Sequence, residues 1–289
     1  MNWNAPEIRA LIRSALLEDN ARRDVTTQLL IDPAWRIEAI IVANQNGVVA
    51  GLPLAERFLK ALDPAIRFKS NTFDGARVRP KQRLATIKGK ARAILSAERP
   101  ALNALQHLSG IATFTHAMAA KLKGTKTRLY DTRKTLPGWR TLEKYAVQCG
   151  GGTNHRISLA DAILVKDNHL KICRLAKSDW TARAERVKRQ RPHLPFEVEV
   201  QTEQDLREVL RLKPQFILLD NLPIKKLREM MAKARRQIPG VQIEISGGVQ
   251  PEELRALGKL GVERISMGRL THSAPAFDCS LDITHVYPR

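Results

Sequence analysis

The stretch from Phe196 to Asp220, "FEVEVQTEQDLREVLRLKPQFILLD", reads as one strand–helix–strand unit. A short apolar run opens it and another closes it, and each carries an acidic residue near its end, Glu199 and Asp220. The rhythm continues downstream, where "IEIS" ends at Ser246 and "RISMG" at Gly268. From Glu199 onward such ends recur 21 to 26 residues apart, the length of one βα unit. Upstream, "RLYD" ends at Asp131 and "AILVK" at Lys166. Alternation on this scale predicts a parallel sheet. Polar residues at successive strand ends favour an α/β barrel, TIM-like and complete or incomplete, with its site on that rim. A doubly wound open sheet is the alternative. In "FEVEV", Glu197 and Glu199 share one face and the valines the other; Glu244 and Ser246 pair in the same way. Polar residues facing a barrel axis give this pattern, and a strand half exposed to water gives nearly the same one.

The first hundred residues mix helix and strand signals. "APEIRALIRSALLED" and "PLAERFLKAL" are helical, and "IEAIIVANQNGVVAG" alternates around a turn. "LATIKGKARAILS" predicts a hairpin turning at Gly89. A long helix is expected from Ala97, with Pro100 in its first turn. The expected domains are therefore an α+β N-terminal domain, 1–102, joined by the C-terminal tail 274–289, and an α/β-barrel domain, 103–273.

The chain has 289 residues, enough for one large and one smaller domain. Its hydrophobic content of 43% supports a substantial core, built from aliphatic side chains because aromatics make up only 5%. Three cysteines without metal-ligand spacing point to a reduced, cytoplasmic protein. There is no signal-peptide pattern and no membrane-length apolar run. The net charge of +20 is spread along the sequence. Its densest run, "KICRLAKSDWTARAERVKRQRP" from Lys171, reads as one helix with an apolar side (Ile172, Leu175, Trp180, Ala184, Val187) and a solvated basic side. A nucleic-acid-binding role rests on that charge alone, since no RNA or DNA module is recognisable.

The region from Asp131 to His169 gathers Arg133, Lys134, Arg140, Lys144, His155, Arg156 and Lys166 around Gly150, Gly151 and Gly152. Arginine offers a planar fork to a carboxylate or phosphate, and lysine a point charge. Each charge-assisted hydrogen bond contributes about 1.5–3 kcal/mol, so several converging donors can fix a dianion. Three glycines allow the backbone to approach a ligand closely. Lys166 closes an apolar strand and can hold an anion or form a Schiff base, which leaves a barrel aldolase as a second enzymatic reading. Glu199 and Asp220 can hold Mg²⁺, bind sugar hydroxyls, stabilise a cationic transition state, or merely neutralise their basic surroundings. Ser246, Gly247 and Gly248 precede a helix expected near Pro251, and with Gly268 they suit a phosphate.

These stretches resemble the quinolinate phosphoribosyltransferase family nearly end to end. The carriers are "DVTT" at Asp24, "AERPALNALQHLSGIAT" at Ala97, "DTRKTLPG" at Asp131, "LEKYAVQCGGGTNHR" at Leu142, "LVKDNHL" at Leu164, "EVEV" at Glu197, "LLDN" at Leu218, "EISGGV" at Glu244 and "THSAPAFDCSL" at Thr271. The resemblance implies phosphoribosyl transfer from phosphoribosyl pyrophosphate to quinolinate, with loss of CO₂ and Mg²⁺ as cofactor. It implies that Arg133, His155 and Arg156 bind quinolinate, with Lys134 and Lys166 between quinolinate and pyrophosphate. Glu199 and Asp220 would serve ribose and metal, and Ser246, Gly247, Gly248 and Gly268 the 5′-phosphate. Arg99 would reach quinolinate in the neighbouring subunit of a homodimer. The chain departs from the family pattern at Arg23, Pro100, Trp139 and Ser158. Of these, Ser158 bears on the backbone beside Arg156, and Trp139 on the width of the pocket mouth.

Overall fold

The computed structural model describes residues 1–288, so of the expected C-terminal tail only Arg289 lies outside the described residues. Contacts divide the chain into two units. One holds Met1–His116, Thr135–Gly151 and the residues from Leu270 onward; the other holds Ala117–Lys134 and Gly152–Arg269. The expected boundary at 102 falls inside a single helix, Ala91–Lys121. No helix among the described residues is long and apolar enough to cross a membrane.

In chain order the strands are β1 (Arg36–Ala43), β2 (Gly47–Val48), β3 (Arg67–Ser70), β4 (Arg77–Val78), β5 (Arg83–Lys90), β6 (Arg128–Tyr130), β7 (Ile163–Val165), β8 (Phe196–Val200), β9 (Phe216–Asp220), β10 (Gln242–Ser246), β11 (Arg264–Ser266) and β12 (Cys279–Tyr287). The first unit contains a four-stranded antiparallel sheet ordered β12-β1-β5-β3, so the end of the chain returns to pair with β1. On β1 the alternate residues Ile37, Ala39, Ile41 and Ala43 are buried, the period of a sheet with one face on a core. β1 and β2 do not pair with each other across the turn between them; β2 pairs with β4.

No hairpin turns at Gly89. That glycine lies within β5 opposite Ile37, and a Cβ there would stand 2.7 Å from Ile66 Cγ1. The long helix follows at once, from Ala91, which puts Pro100 in its interior rather than its first turn. The proline has no N–H to give the carbonyl one turn back, at Ser96. Gly150 also has a packing role. A Cβ there would meet the Ala112 carbonyl at 2.4 Å, so this glycine lets its segment close on the long helix.

The second unit holds a six-stranded parallel sheet ordered β6-β11-β10-β9-β8-β7. The strands from β7 to β11 follow one another in a single direction, and the first strand, β6, pairs with the last. That winding belongs to a barrel, and a doubly wound sheet would reverse direction. Thr153 adds one parallel bridge to Tyr130, and among the described residues no pairing closes the gap between this edge and β7. After β8, Thr202 caps the helix Glu203–Leu212 in a capping box with Asp205. The helix buries Leu206, Val209, Leu210 and Leu212, at about 1.5–3 kcal/mol for each fully buried side chain. It ends where Lys213 turns left-handed, just before Pro214. The basic run from Lys171 is not one helix. It breaks between Asp167–Leu175 and Trp180–Gln190, with Asp179 capping the second. Trp180 and Ala184 are buried, but Ile172 and Leu175 are exposed.

Candidate active site

The strand ends and adjoining loops of the second unit carry all the expected site residues except Arg99, which is exposed on the long helix of the first unit. Arg133 and Lys134 follow β6, Lys166 follows β7, Glu199 lies on β8, Asp220 ends β9, Ser246 ends β10, and Gly268 follows β11. Parallel pairing sets Ser246 beside Asp220 and Glu199 beside Leu218.

At the rim, Glu199 and Asp220 form an acidic pair. Gln201 Nε2 donates to Glu199 Oε1 at 3.1 Å and to Asp220 Oδ2 at 3.2 Å, and Asn221 Nδ2 donates to the same Asp220 oxygen at 2.9 Å. Burial, then the Asp220 charge, push the Glu199 carboxyl above its ordinary range, against the pull of Lys166. Gly247 has a φ of +85°, and a Cβ on it would stand 2.6 Å from Asp220 Oδ1 and from Asn221. That glycine makes room for the acidic pair. Gly248, with φ +56°, has open space apart from Asn221 Oδ1 at 3.4 Å. The helix expected near Pro251 begins only at Leu254 and has five residues, so any anion held here must rely on loop amides. This loop is tied to the one after β11, because Gln250 donates to the Gly248 carbonyl and accepts from Arg269 Nη1.

One layer below lies a second acidic pair. His155 Nε2 is 3.3 Å from both Glu197 Oε2 and Glu244 Oε2. Both carboxylates are buried and His155 is nearly so, and Glu197 Oε1 and Glu244 Oε1 accept no hydrogen bond. Arg264 Nη1 approaches Glu244 at 3.8 Å while its guanidinium stacks 3.6 Å from the centre of the Phe216 ring. Burial pulls the His155 imidazole down, but the two carboxylates outweigh it and raise it to about 9. The Arg156 amide points the other way, donating to Nδ1 at 2.8 Å and so opposing a second ring proton. The ring proton therefore sits on Nε2, toward the carboxylates. Burial, then the Glu244 charge, push the Glu197 carboxyl above its ordinary range, against the pull of His155. The three ligand atoms lie within 4.8 Å of one another, a spacing that admits a metal. The tautomer opposes one, because a ligating Nε2 must give up its proton while Nδ1 faces an N–H donor.

The segment leading to Arg156 is anchored from beneath. The buried Asp131 accepts the His155 amide at 2.8 Å, and Arg156 Nη1 donates to the Ala162 carbonyl at 3.1 Å. Burial, then the neighbouring Arg133 charge, hold Arg156 below the ordinary guanidinium range. Two guanidiniums close enough to repel are the arrangement that a dicarboxylate relieves. His155 Nε2 faces the two carboxylates and Nδ1 faces the Arg156 backbone. Ser158, at a family glycine position, donates to Asp161 at 2.8 Å. Trp139, in the first unit, stands edge-on to His107 at 5.4 Å. Reading strand ends did not single out Gln201, Asn221, Gln250 or Arg269, and gave Glu197 and Glu244 a face but no role.

Two family models match the chain. Quinolinate phosphoribosyl transferase, N-terminal domain, matches residues 24–109, and the C-terminal domain model of the same name matches 111–282. A Mycobacterium leprae protein named carboxylating nicotinate-nucleotide pyrophosphorylase is 39% identical over 281 residues, covering 95% of this chain and 96% of that one. A Bacillus subtilis protein named as a probable enzyme of the same kind is 36% identical over 282 residues, covering 97% and 95%. The solved nicotinate-nucleotide pyrophosphorylase of Francisella tularensis superposes with a TM-score of 0.88 at 34% identity, covering 97% of this chain and 98% of that one.

Proposed function

The chain belongs to the quinolinate phosphoribosyltransferase family, and on that premise we propose which of its residues carry the reaction. The enzyme joins quinolinate to phosphoribosyl pyrophosphate and yields nicotinate mononucleotide, pyrophosphate and CO₂ in NAD biosynthesis. The aldolase and nucleic-acid readings fall with that membership. The observation that carries the site assignment is the Arg133–Arg156 pair on the same rim as the Glu199–Asp220 pair.

In this reading Arg133 and Arg156 hold the two carboxylates of quinolinate. His155 holds Arg156 in place through its backbone and its buried ring. Lys134 and Lys166 lie between quinolinate and pyrophosphate. The 5′-phosphate takes the loop amides around Ser246, Gly248 and Gly268, with Gly247 keeping the space beside Asp220 open. Pyrophosphate leaves C1′ with its bonding electron pair, and Glu199 and Asp220 stabilise the positive charge that develops on the ribose. The pyridine nitrogen gives its lone pair to C1′ and becomes cationic. That charge holds the electron pair left on the ring carbon when the bond to the adjacent carboxylate breaks and CO₂ departs. One proton is then taken up at that carbon. The protein contributes mainly positioning and electrostatics.

Glu199 and Asp220 suit Mg²⁺, which takes one or two carboxylates beside substrate phosphates. Among the described residues, Asp220 Oδ1 and Glu199 Oε2 accept no protein hydrogen bond and are free for it. Bound there, the ion would offset the charge of the departing pyrophosphate. Arg99 is assigned to the partner's site in a homodimer, which its exposure allows. The free thiols of Cys149, Cys173 and Cys279 match the reducing cytoplasm; a disulfide-linked form from cells would argue otherwise.

Release of CO₂ from carboxyl-labelled quinolinate, with the phosphoribosyl donor and Mg²⁺, tests the assignment. Arg133→Ala should lower kcat/KM for quinolinate at least ~10-fold, the loss of one charged hydrogen-bond pair. Wild-type kinetics in that variant would remove Arg133 from the site. In the same assay, mixing Arg99→Ala with Lys166→Ala subunits should restore part of the activity that each lacks. Proven subunit exchange without recovery would rule out a shared site.

A further inference from the structure

We infer that Gln201 and Asn221 are positioning residues of the transferase site: their side-chain amides clamp Glu199 and Asp220 into one fixed geometry. The inference rests on the reading of those carboxylates given above. Two carboxylates side by side repel, and unassisted they would swing apart toward water. The Gln201 amide stops this with one nitrogen, giving one N–H to Glu199 Oε1 and the other to Asp220 Oδ2. Asn221 adds a second donor to Asp220 Oδ2. All three bonds fall on one oxygen of each carboxylate.

The residue type matters as much as the contact. A lysine or arginine at 201 would bridge the pair equally well but would cancel the negative charge that a ribosyl cation or Mg²⁺ requires. A third carboxylate would add repulsion. A primary amide supplies two donors and no net charge, so it fixes the pair without neutralising it. Packing does not account for Gln201, whose side chain is exposed.

Asn221 is itself held from two sides. Its φ of +54° is left-handed, a conformation in which asparagine is enriched among residues other than glycine. Its backbone N–H donates to the Ser246 carbonyl at 3.1 Å, tying the end of β9 to the end of β10. Gly247 packs against it so closely that an added Cβ would stand 2.6 Å from its backbone nitrogen. The sequence "DN" at the end of β9 and the "SGG" after β10 thus form one interlocked piece, with Asp220 set between them.

Two measurements test the clamp. The first uses the ligand-free chain and needs no activity: solvent exchange of the Gln201 and Asn221 side-chain amide protons, followed by nuclear magnetic resonance. Exchange several-fold slower than in a free glutamine or asparagine is expected, and free-amide rates overturn the clamp. The second uses Gln201→Met, which keeps the length and removes both donors, and Asn221→Gly, which keeps the left-handed turn and the backbone bond. For Gln201→Met, kcat should fall ~10-fold or more, as for misplaced electrostatic groups, with quinolinate KM and melting temperature nearly unchanged. Asn221→Gly, which strips a donor from Asp220 alone, should fall less. A merely structural role would lower the melting temperature and weaken both substrates together. Wild-type kcat in both variants overturns the inference. A wild-type chain that releases no CO₂ overturns the functional reading instead, while the exchange measurement still decides on the clamp.

Discussion

The same strand supplies two acidic pairs of opposite character. On β8, Glu199 reaches the rim and pairs with Asp220; two residues earlier, Glu197 points into the barrel and pairs with Glu244. Above, neutral amides join the carboxylates and leave one oxygen of each without a protein donor among the described residues. Below, an imidazole joins them, and the remaining oxygens are buried without donors. Depth alone separates the two jobs. A pair that reaches the surface through the half-exposed Asp220 can hold a cation and still exchange it, whereas a fully buried pair fixed to a histidine is a strut. The lower trio supports the backbone at Arg156, whose amide donates to the His155 ring.

The largest effect expected from breaking this contrast lies below. His155→Ala would leave two buried carboxylates facing each other with no donor between them. Removing one partner of a buried charged cluster costs about 3–5 kcal/mol. Denaturant unfolding at neutral pH should show that loss, and adding Glu197→Gln should recover part of it. The pH dependence follows from the same trio, with Arg264 and Tyr130 as its other charged or titratable neighbours. Glu197 is raised in the folded chain. A raised group contributes its full stability below its unfolded pKa and loses it as pH climbs through the folded one. Stability should therefore decline as pH climbs above 4.5, the free glutamate value. Glu197→Gln should flatten that slope. An unchanged slope in the variant would mean that Glu197 does not carry the pH dependence.

At the rim the balance reverses. Asp220→Asn keeps the shape and removes a charge at a half-exposed position. It should lower kcat/KM for the phosphoribosyl donor roughly 10²-fold, the scale of losing one electrostatic stabiliser. Unfolding free energy should stay within about 0.5 kcal/mol of wild type. Equal losses of activity and stability in the variants at both depths would erase the distinction between the two pairs.

The rim was largely legible in the sequence, because strand ends recur at a βα period and a charge at a strand end is conspicuous. Glu199, Asp220 and Ser246 stand where that reading put them. The amides that hold them carry no charge and no periodicity, so Gln201 looks like any polar residue before a helix cap. Asn221 gave one cue, since asparagine after an aspartate at a strand end is a residue that tolerates a left-handed turn. Gly89 misled because alternation around a glycine resembles a hairpin, and the side chain that requires it, Ile66, lies more than twenty residues earlier. The basic run misled because apolar spacing continues across the helix break. The "SD" before Trp180 was the available cap signal, realised when Asp179 accepts from the Thr181 and Ala182 amides.

The smallest effect belongs to the loop between the two depths. Ser158 replaces a glycine common in the family, and a glycine there would matter if the backbone were left-handed. It is not: Ser158 is absent from the positive-φ residues of the chain. The serine therefore causes no backbone strain, and its hydroxyl adds one bond to Asp161, which also accepts the amides of Ile157 and Ser158 at 2.9 and 2.8 Å. Those bonds hold the Asp161 carboxyl below its ordinary range, the Ser158 amide contributing most. Ser158→Gly removes only the hydroxyl and keeps both amide bonds, so quinolinate KM should move by no more than about twofold, the scale of one weak exposed contact. Asp161→Ala removes all three bonds and should raise the same KM several-fold, because the segment between Arg156 and β7 loses the carboxylate that gathers Ile157 and Ser158. If the two variants behave alike, Arg156 is held entirely from below by His155 and Asp131, and the rim loop contributes nothing to its placement.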